Sequence, residues 1–192
     1  FNIVNGGKEV VEAICDHPNI EAVSFVGSTA VAKIVYKRAT STLKRCVALG
    51  GAKNHLIVLP DANPEMTASN VVASMSGCAG QRCMAASVMV GVDKVQHIID
   101  RMVEDAKAIV PGDNLGSVIT AEAKERIEGY ITEAENNGAK ILLDGRNTTV
   151  VGKEGGYYVG ATIIDYVTTD MSVAREEIFG PVISIIRAKD LD

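Results

Sequence analysis

Apolar positions recur along this chain in two alternating rhythms. Short β-branched runs are separated by longer stretches in which apolar residues return every three or four positions. Residues 22–26, 45–48 and 56–59 read as strands. Between the first two, the pattern predicts a helix over residues 30–42. Asn63-Pro64-Glu65 predicts another helix start. Asn63 can cap it, Pro64 suits the first helical position, and Glu65 favours the positive end of the dipole. That helix should run to about residue 75. Further on come a strand over 87–92, a helix over 95–109, and a helix over 121–137 that Gly138 ends. Strands follow near 140–143, 157–159 and 161–167, then a short helix near Met171 and a last strand over 182–186. The opening residues 2–6 also read as a strand. This alternation predicts the α/β class with a mainly parallel sheet. No internal repeat, low-complexity tract or flexible linker interrupts it. Both ends look cut inside a fold, so the chain reads as a fragment of a longer protein.

Composition narrows the function classes. A chain of 192 residues holds one domain, or one domain and part of another. A net charge of -5, with 4% aromatics and no Trp, argues against nucleic acid as a partner. No apolar run is long enough to span a bilayer and no signal peptide opens the chain, so no membrane partner is expected. Cys15, Cys46, Cys78 and Cys83 form no Cys-x-x-Cys pair, and His17, His55 and His97 are scattered. A metal site is therefore not expected, and the cysteine usage suits a reducing compartment.

Three short segments carry candidate chemistry. The first is Cys78-Ala79-Gly80-Gln81-Arg82-Cys83-Met84-Ala85. It sets a thiol among small residues that leave a substrate carbon room to approach. A cysteine thiolate is a nucleophile whose acyl product, a thioester, is ready to be handed on. The plain alternative is a buried structural thiol. The second is Ser24-Phe25-Val26-Gly27-Ser28-Thr29, a strand-to-helix turn. Its helix start presents amides and a positive dipole end to an anion such as a pyrophosphate. Ser28 or Thr29 could equally be a simple helix cap. No Gly-x-Gly-x-x-Gly fingerprint is present. The third is Glu176-Glu177-Ile178-Phe179-Gly180-Pro181. On its own it reads as a solvated acidic pair before a Gly-Pro turn.

Together these segments resemble the aldehyde dehydrogenase superfamily. Gly80-Gln81-Arg82-Cys83 resembles its nucleophile motif, and Phe25-Val26-Gly27-Ser28-Thr29 its turn against the NAD phosphates. Glu177 and Phe179 match the positions that hold the nicotinamide half. The resemblance implies Cys83 as catalytic nucleophile, NAD as cofactor, and Gly27, Ser28, Glu177 and Phe179 as cofactor contacts. It implies that residues 1–51 are the trailing part of a Rossmann-like NAD-binding domain. Residues 52–192 would be the catalytic domain, truncated at its C-terminal end.

Hydrolytic members read Glu-Leu-Gly-Gly-Lys where this chain reads Ala48-Leu49-Gly50-Gly51-Ala52-Lys53. Alignment on the Gly pair puts Ala48 in place of the glutamate, and alignment on the lysine puts Leu49 there. The family's usual interval back from the cysteine favours Leu49, which is therefore taken as lining the cofactor site. Neither side chain accepts a proton, and a missing base should slow attack by water by roughly 10²–10⁴. Gly51-Ala52-Lys53-Asn54-His55, taken with Ala79 to Ala85, closely resembles the CoA-acylating methylmalonate-semialdehyde dehydrogenases. That resemblance implies a semialdehyde substrate, coenzyme A as co-substrate, and propionyl-CoA or acetyl-CoA as product. It also implies a homodimeric or homotetrameric full-length protein, in bacterial cytoplasm or the mitochondrial matrix. Two other readings stand beside it. One is a hydrolytic dehydrogenase that recruits Glu176 or Glu177 as base. The other is a piece that is inactive when isolated. The loop over residues 111–116 is several residues shorter than the family's.

Overall fold

The computed structural model describes residues 1–192, which divide into two compact units, Phe1–Ala52 and Lys53–Asp192.

The first unit runs α1 (Lys8–Asp16), β1 (Ala22–Val26), α2 (Thr29–Ser41) and β2 (Arg45–Leu49). β1 and β2 pair in parallel, from Ala22 against Arg45 to Val26 against Leu49. Both strands alternate exposed and half-buried positions. Val23, Phe25 and Cys46 therefore face one way and pack on Cys15, Val35 and Ala39 from the helices. The buried Lys44 lies along this core and donates to the carbonyls of His17 (2.7 Å) and Ile20 (2.8 Å). Two expectations need correcting here. Residues 2–6 form no strand and are exposed, because the run has no partner strand to bond its backbone. Helix α1, by contrast, was not expected: Gly7 at its start offers no side-chain cap to betray it.

The second unit adds β3 (His55–Val58), α3 (Pro64–Ser76), β4 (Val88–Val92), α4 (Gln96–Lys107), α5 (Ala121–Asn136), β5 (Lys140–Leu143), β6 (Thr162–Asp165), α6 (Ser172–Arg175) and β7 (Val182–Ala188). Its five-stranded sheet has the order β3-β4-β7-β6-β5. Every pairing is parallel except β5 against β6, at one edge. All four residues of β6 and the first four of β7 are buried. The two faces explain this run. Ile163, Ile183 and Ile185 pack with Val71, Met75, Ile98 and Met102 of α3 and α4. Ile164 and Val182 pack with Ile127 and Ile131 of α5. Helices cover both faces, so consecutive strand residues are buried and mostly apolar, as in doubly covered parallel sheets, with Thr162, Asp165 and Ser184 as buried polar exceptions. The segment 157–159 is not a strand. Only Tyr157 bridges, to Val118, because β6 already finds its partners in β5 and β7.

The helix ends follow their sequence signals. Asn63 Oδ1 accepts from the Met66 amide (2.9 Å), with Pro64 in the first turn. Gly138 takes a φ of +95° just past α5, the left-handed geometry glycine supplies cheaply. The short 111–116 loop is a closed turn in which Asn114 bonds the Val110 amide (2.6 Å) and the Ala108 carbonyl (3.0 Å). No helix is long and apolar enough to cross a membrane.

Candidate active site

Cys83 lies in the irregular segment between α3 and β4, and its side chain is exposed. It is a free thiol, not a core residue. The segment leaves α3 through a tight turn over Gly77–Gly80 in which Cys78, Ala79 and Gly80 all have positive φ (53°, 54° and 70°). Non-glycine residues in that region store of order 1–3 kcal/mol each and persist only where surroundings over-determine them.

The surroundings here are a set of side-chain bonds. Asn54 Nδ2 donates to the carbonyls of Cys83 (2.7 Å) and Ala85 (3.0 Å). Ser74 Oγ accepts from the Ala86 amide (2.9 Å). Gln81 spans outward: its Nε2 donates to Cys78 (3.0 Å) and Ser117 (3.3 Å), and its Oε1 accepts from the Ile119 amide (2.9 Å). Arg82 turns back and donates to the Ala73 (3.2 Å) and Ser74 (2.8 Å) carbonyls in the last turn of α3, where the Ala73 carbonyl also accepts from the Gly77 amide. Gly77 leaves room for this, since a Cβ there would stand 2.4 Å from the guanidinium. The Cys83 amide makes no hydrogen bond within the chain.

Glu177 and Phe179 come from the segment joining α6 to β7. Ile178 between them is buried in the core. Glu177 is half-buried and Phe179 is exposed. Phe179 also holds a φ of +54°, an outlier for so bulky a residue. Arg126 fixes the segment by donating to the Ile178 carbonyl (3.2 Å).

The two segments meet at a pair of glycines. A Cβ on Gly80 would lie 1.9 Å from the Gly180 carbonyl oxygen and 2.8 Å from the Pro181 nitrogen. The Cys83 loop and the Phe179 turn thus lie backbone on backbone, and both feed adjacent parallel strands, β4 and β7, at their N-terminal ends. An open cavity of about 640 Å³ beside them is lined by Cys78, Gln81, Ile119, Tyr157 and Phe179 among others. Gly80→Ala is expected to force this contact apart as well as strain φ. Turnover of the full-length protein should fall on the order of 10²-fold through misplacement of the reacting groups. Steady-state kinetics set beside a thermal melt check it, and wild-type turnover in the variant would contradict the clamp.

Lys53 and Asn54 immediately precede β3. The Lys53 Nζ is buried and bonded to nothing. Burial pushes its ammonium down to about 8, against the opposing pull of the Glu177 and Glu176 carboxylates. His55 Nδ1 lies 2.9 Å from the Lys53 carbonyl oxygen and has a local structural partner. No group of three or more His, Cys, Asp or Glu residues could hold a metal ion.

The remaining sequence candidates lie in the first unit. Ser28 Oγ caps α2 by accepting from the Val31 amide (3.4 Å). The Gly27 amide donates to the Leu49 carbonyl (3.1 Å), which brings those two candidates together. A Cβ on Gly27 would meet the Phe25 ring at 2.6 Å. Thr29 Oγ1 accepts from the Gly51 amide (3.1 Å) and ties the helix start to the Gly50-Gly51 turn. The amides of Thr29 and Ala30 at the opening of α2 are left without intrahelical partners, as at any helix start. Sequence reasoning assigned nothing to Lys53, Asn54, Ser74 or Arg126. The side-chain partners of Asn54, Ser74 and Arg126 lie 12 or more residues away, and Lys53 has none, so no local spacing signals these roles.

Comparison with known proteins settles the family. The aldehyde dehydrogenase family profile matches residues 1–192. This chain belongs to the aldehyde dehydrogenase family. A malonate-semialdehyde dehydrogenase of Bacillus thuringiensis (strain Al Hakam) is 47% identical over 199 residues, covering 100% of this chain and 41% of the relative. A malonate-semialdehyde dehydrogenase of Oceanobacillus iheyensis is 46% identical over the same span. Among solved structures, a putative methylmalonate-semialdehyde dehydrogenase from Sinorhizobium meliloti 1021 complexed with NAD superposes with a TM-score of 0.92. It is 42% identical, over 97% of this chain and 40% of that one. The methylmalonate-semialdehyde dehydrogenase of Oceanimonas doudoroffii gives the same TM-score at 41% identity, over 98% and 40%. The chain therefore spans about 40% of the length of these relatives. As a member of the family it shares the fold, α/β with a mostly parallel sheet.

Proposed function

We propose that this chain carries the nucleophile-bearing part of an NAD-dependent, CoA-acylating dehydrogenase acting on malonate or methylmalonate semialdehyde. The observation that carries the reading is the exposed Cys83 thiol with an unengaged backbone amide beside it, in a loop pinned by Asn54, Ser74 and Gln81. The identities to semialdehyde dehydrogenases over the whole chain support the substrate class.

The residues present fit the dinucleotide. The half-buried Glu177 is an acceptor for ribose hydroxyls, Phe179 offers an exposed ring, and the buried Lys53 Nζ is a donor without an acceptor. Gly27, Ser28 and Leu49 line the part assigned to residues 1–51, where the opening of α2 presents amides suited to phosphate. When bound, NAD supplies the hydride acceptor. The Cys83 sulfur adds to the aldehyde carbon and forms a thiohemiacetal, whose oxyanion accepts from the free Cys83 amide. Loss of hydride from that carbon leaves an acyl thioester on Cys83. The thiol of coenzyme A then displaces the Cys83 sulfur. The free carboxylate of the malonyl-type acyl unit leaves as carbon dioxide and the α-carbon takes up a proton in its place, so that the products are acetyl-CoA or propionyl-CoA.

Leu49 decides the acceptor. Where hydrolytic relatives carry a glutamate that activates water, this side chain holds no proton acceptor, so a thiol outcompetes water. With semialdehyde and NAD, the full-length protein is expected to form a CoA thioester only when coenzyme A is added. Free acid without it should form at least 10²-fold more slowly. Chromatography of the products checks this, and equal rates of acid release without coenzyme A would support a hydrolytic enzyme instead.

A further inference from the structure

Lys53 stands out as a buried cation that the reaction so far leaves unused. Its Nζ and the Ser172 hydroxyl are the two buried side-chain polar atoms in the chain without a hydrogen-bond partner. A buried ammonium lacking an acceptor is costly, and the cost persists where something outside the chain completes it. The charged groups that face it are Glu177 and Glu176, which act on it as charges without bonding it. Its neighbour Asn54 holds the Cys83 carbonyl. Lys53 therefore stands in sequence against the nucleophile loop, and within the field of the proposed ribose acceptor.

The hydrogen-bonding chemistry of the pair is complementary. An ammonium only donates and a carboxylate only accepts, whereas a sugar diol does both. We propose that Lys53 is a ligand-binding residue for the dinucleotide, donating to an oxygen of the same ribose whose hydroxyls Glu177 accepts. This rests on the reading of the protein as an NAD-dependent dehydrogenase. Lys53 stays charged at neutral pH and gains its missing acceptor when the sugar arrives. Ligand binding is then coupled to the protonation of one amine.

Titration of the full-length protein with NADH, followed by fluorescence between pH 6.5 and 9.5, tests this against Lys53→Met, Lys53→Arg and Glu177→Gln. At pH 7 Lys53→Met should weaken NADH binding about 10- to 100-fold, the worth of one hydrogen bond to a charged group. Wild-type affinity should fall as pH rises through about 8, where the free ammonium deprotonates. Lys53→Met should be weak at every pH, and Lys53→Arg partly restored without the pH break. A structural lysine predicts a lower melting temperature for Lys53→Met. Here the methionine removes a buried charge, so the melt at pH 7 should be unchanged or higher. Folded-state burial lowers this amine below its unfolded value, so wild-type stability should also rise with pH from about 8 to the ordinary lysine range. If Glu177→Gln weakens binding and Lys53→Met binds like wild type, the role of Lys53 is overturned. If neither variant matters, the nicotinamide reading of the Glu177 segment falls, and the inference with it.

Discussion

Cys83→Ala is expected to abolish turnover, by a factor on the order of 10⁴–10⁶, while leaving the fold intact. The reason lies in how the loop is held. Every side-chain bond that shapes it goes to the Cys83 carbonyl, to Ala85 and Ala86, or through the Gln81 and Arg82 side chains. The thiol itself is exposed and bonded to nothing, so its removal should shift stability by no more than about 0.5 kcal/mol. Intact-mass analysis of the full-length protein after semialdehyde and NAD, without coenzyme A, should show an acyl adduct on wild type and none on the variant. Cys78 is the informative control, because it is exposed in the same segment and lines the adjoining cavity. Cys78→Ala should keep the adduct. An adduct that survives Cys83→Ala and maps to Cys78 would move the chemistry to the wrong thiol for everything argued above.

Asp165→Ala is expected to be the most destabilising single change, costing about 3–5 kcal/mol. Asp165 is 1% exposed at the end of β6 and receives two bonds from Arg187 on β7, Nε to Oδ1 (3.0 Å) and Nη2 to Oδ2 (2.6 Å). The same carboxylate accepts from the Tyr166 amide (2.7 Å), and the guanidinium lies 4.8 Å from the Tyr166 ring centroid. Truncating Asp165 leaves Arg187 three-quarters buried without its counter-charge, and leaves a cavity between two central strands. For a chain of this size the melting temperature should drop by about 10 °C or more. Asp165 stands at the C-terminal end of β6, whereas Cys83 and Phe179 lead into the N-terminal ends of their strands. Whatever folded protein remains at low temperature should therefore keep its KM for NAD. A melt within 2 °C of wild type would contradict the burial argument.

Local signals were legible wherever they acted locally. Asn63-Pro64-Glu65 announced α3, and the apolar-rich runs of β4, β6 and β7 announced strands. Where a segment's state depends on a distant partner, local reading failed. Residues 2–6 and 157–159 have strand-like composition, yet a strand exists only where a neighbour takes up its amides. Helix α1 has no capping side chain at Gly7 and is held by packing of Cys15 on Val35 and Ala39.

The candidate site divides along the same line. Residue order alone determined that Cys83 follows Gly80-Gln81-Arg82, that no proton-accepting side chain stands at Ala48 or Leu49, and that Glu177 and Phe179 lie two positions apart, because these are facts of covalent sequence. The contact of Gly80 with Gly180, the grip of Asn54 on a carbonyl 29 residues away, and the isolation of the Lys53 ammonium were decided only by the folded chain. Such contacts form between residues with no local preference for one another. They are set by the register of β4 against β7 and by the core packed on both sides of that pair.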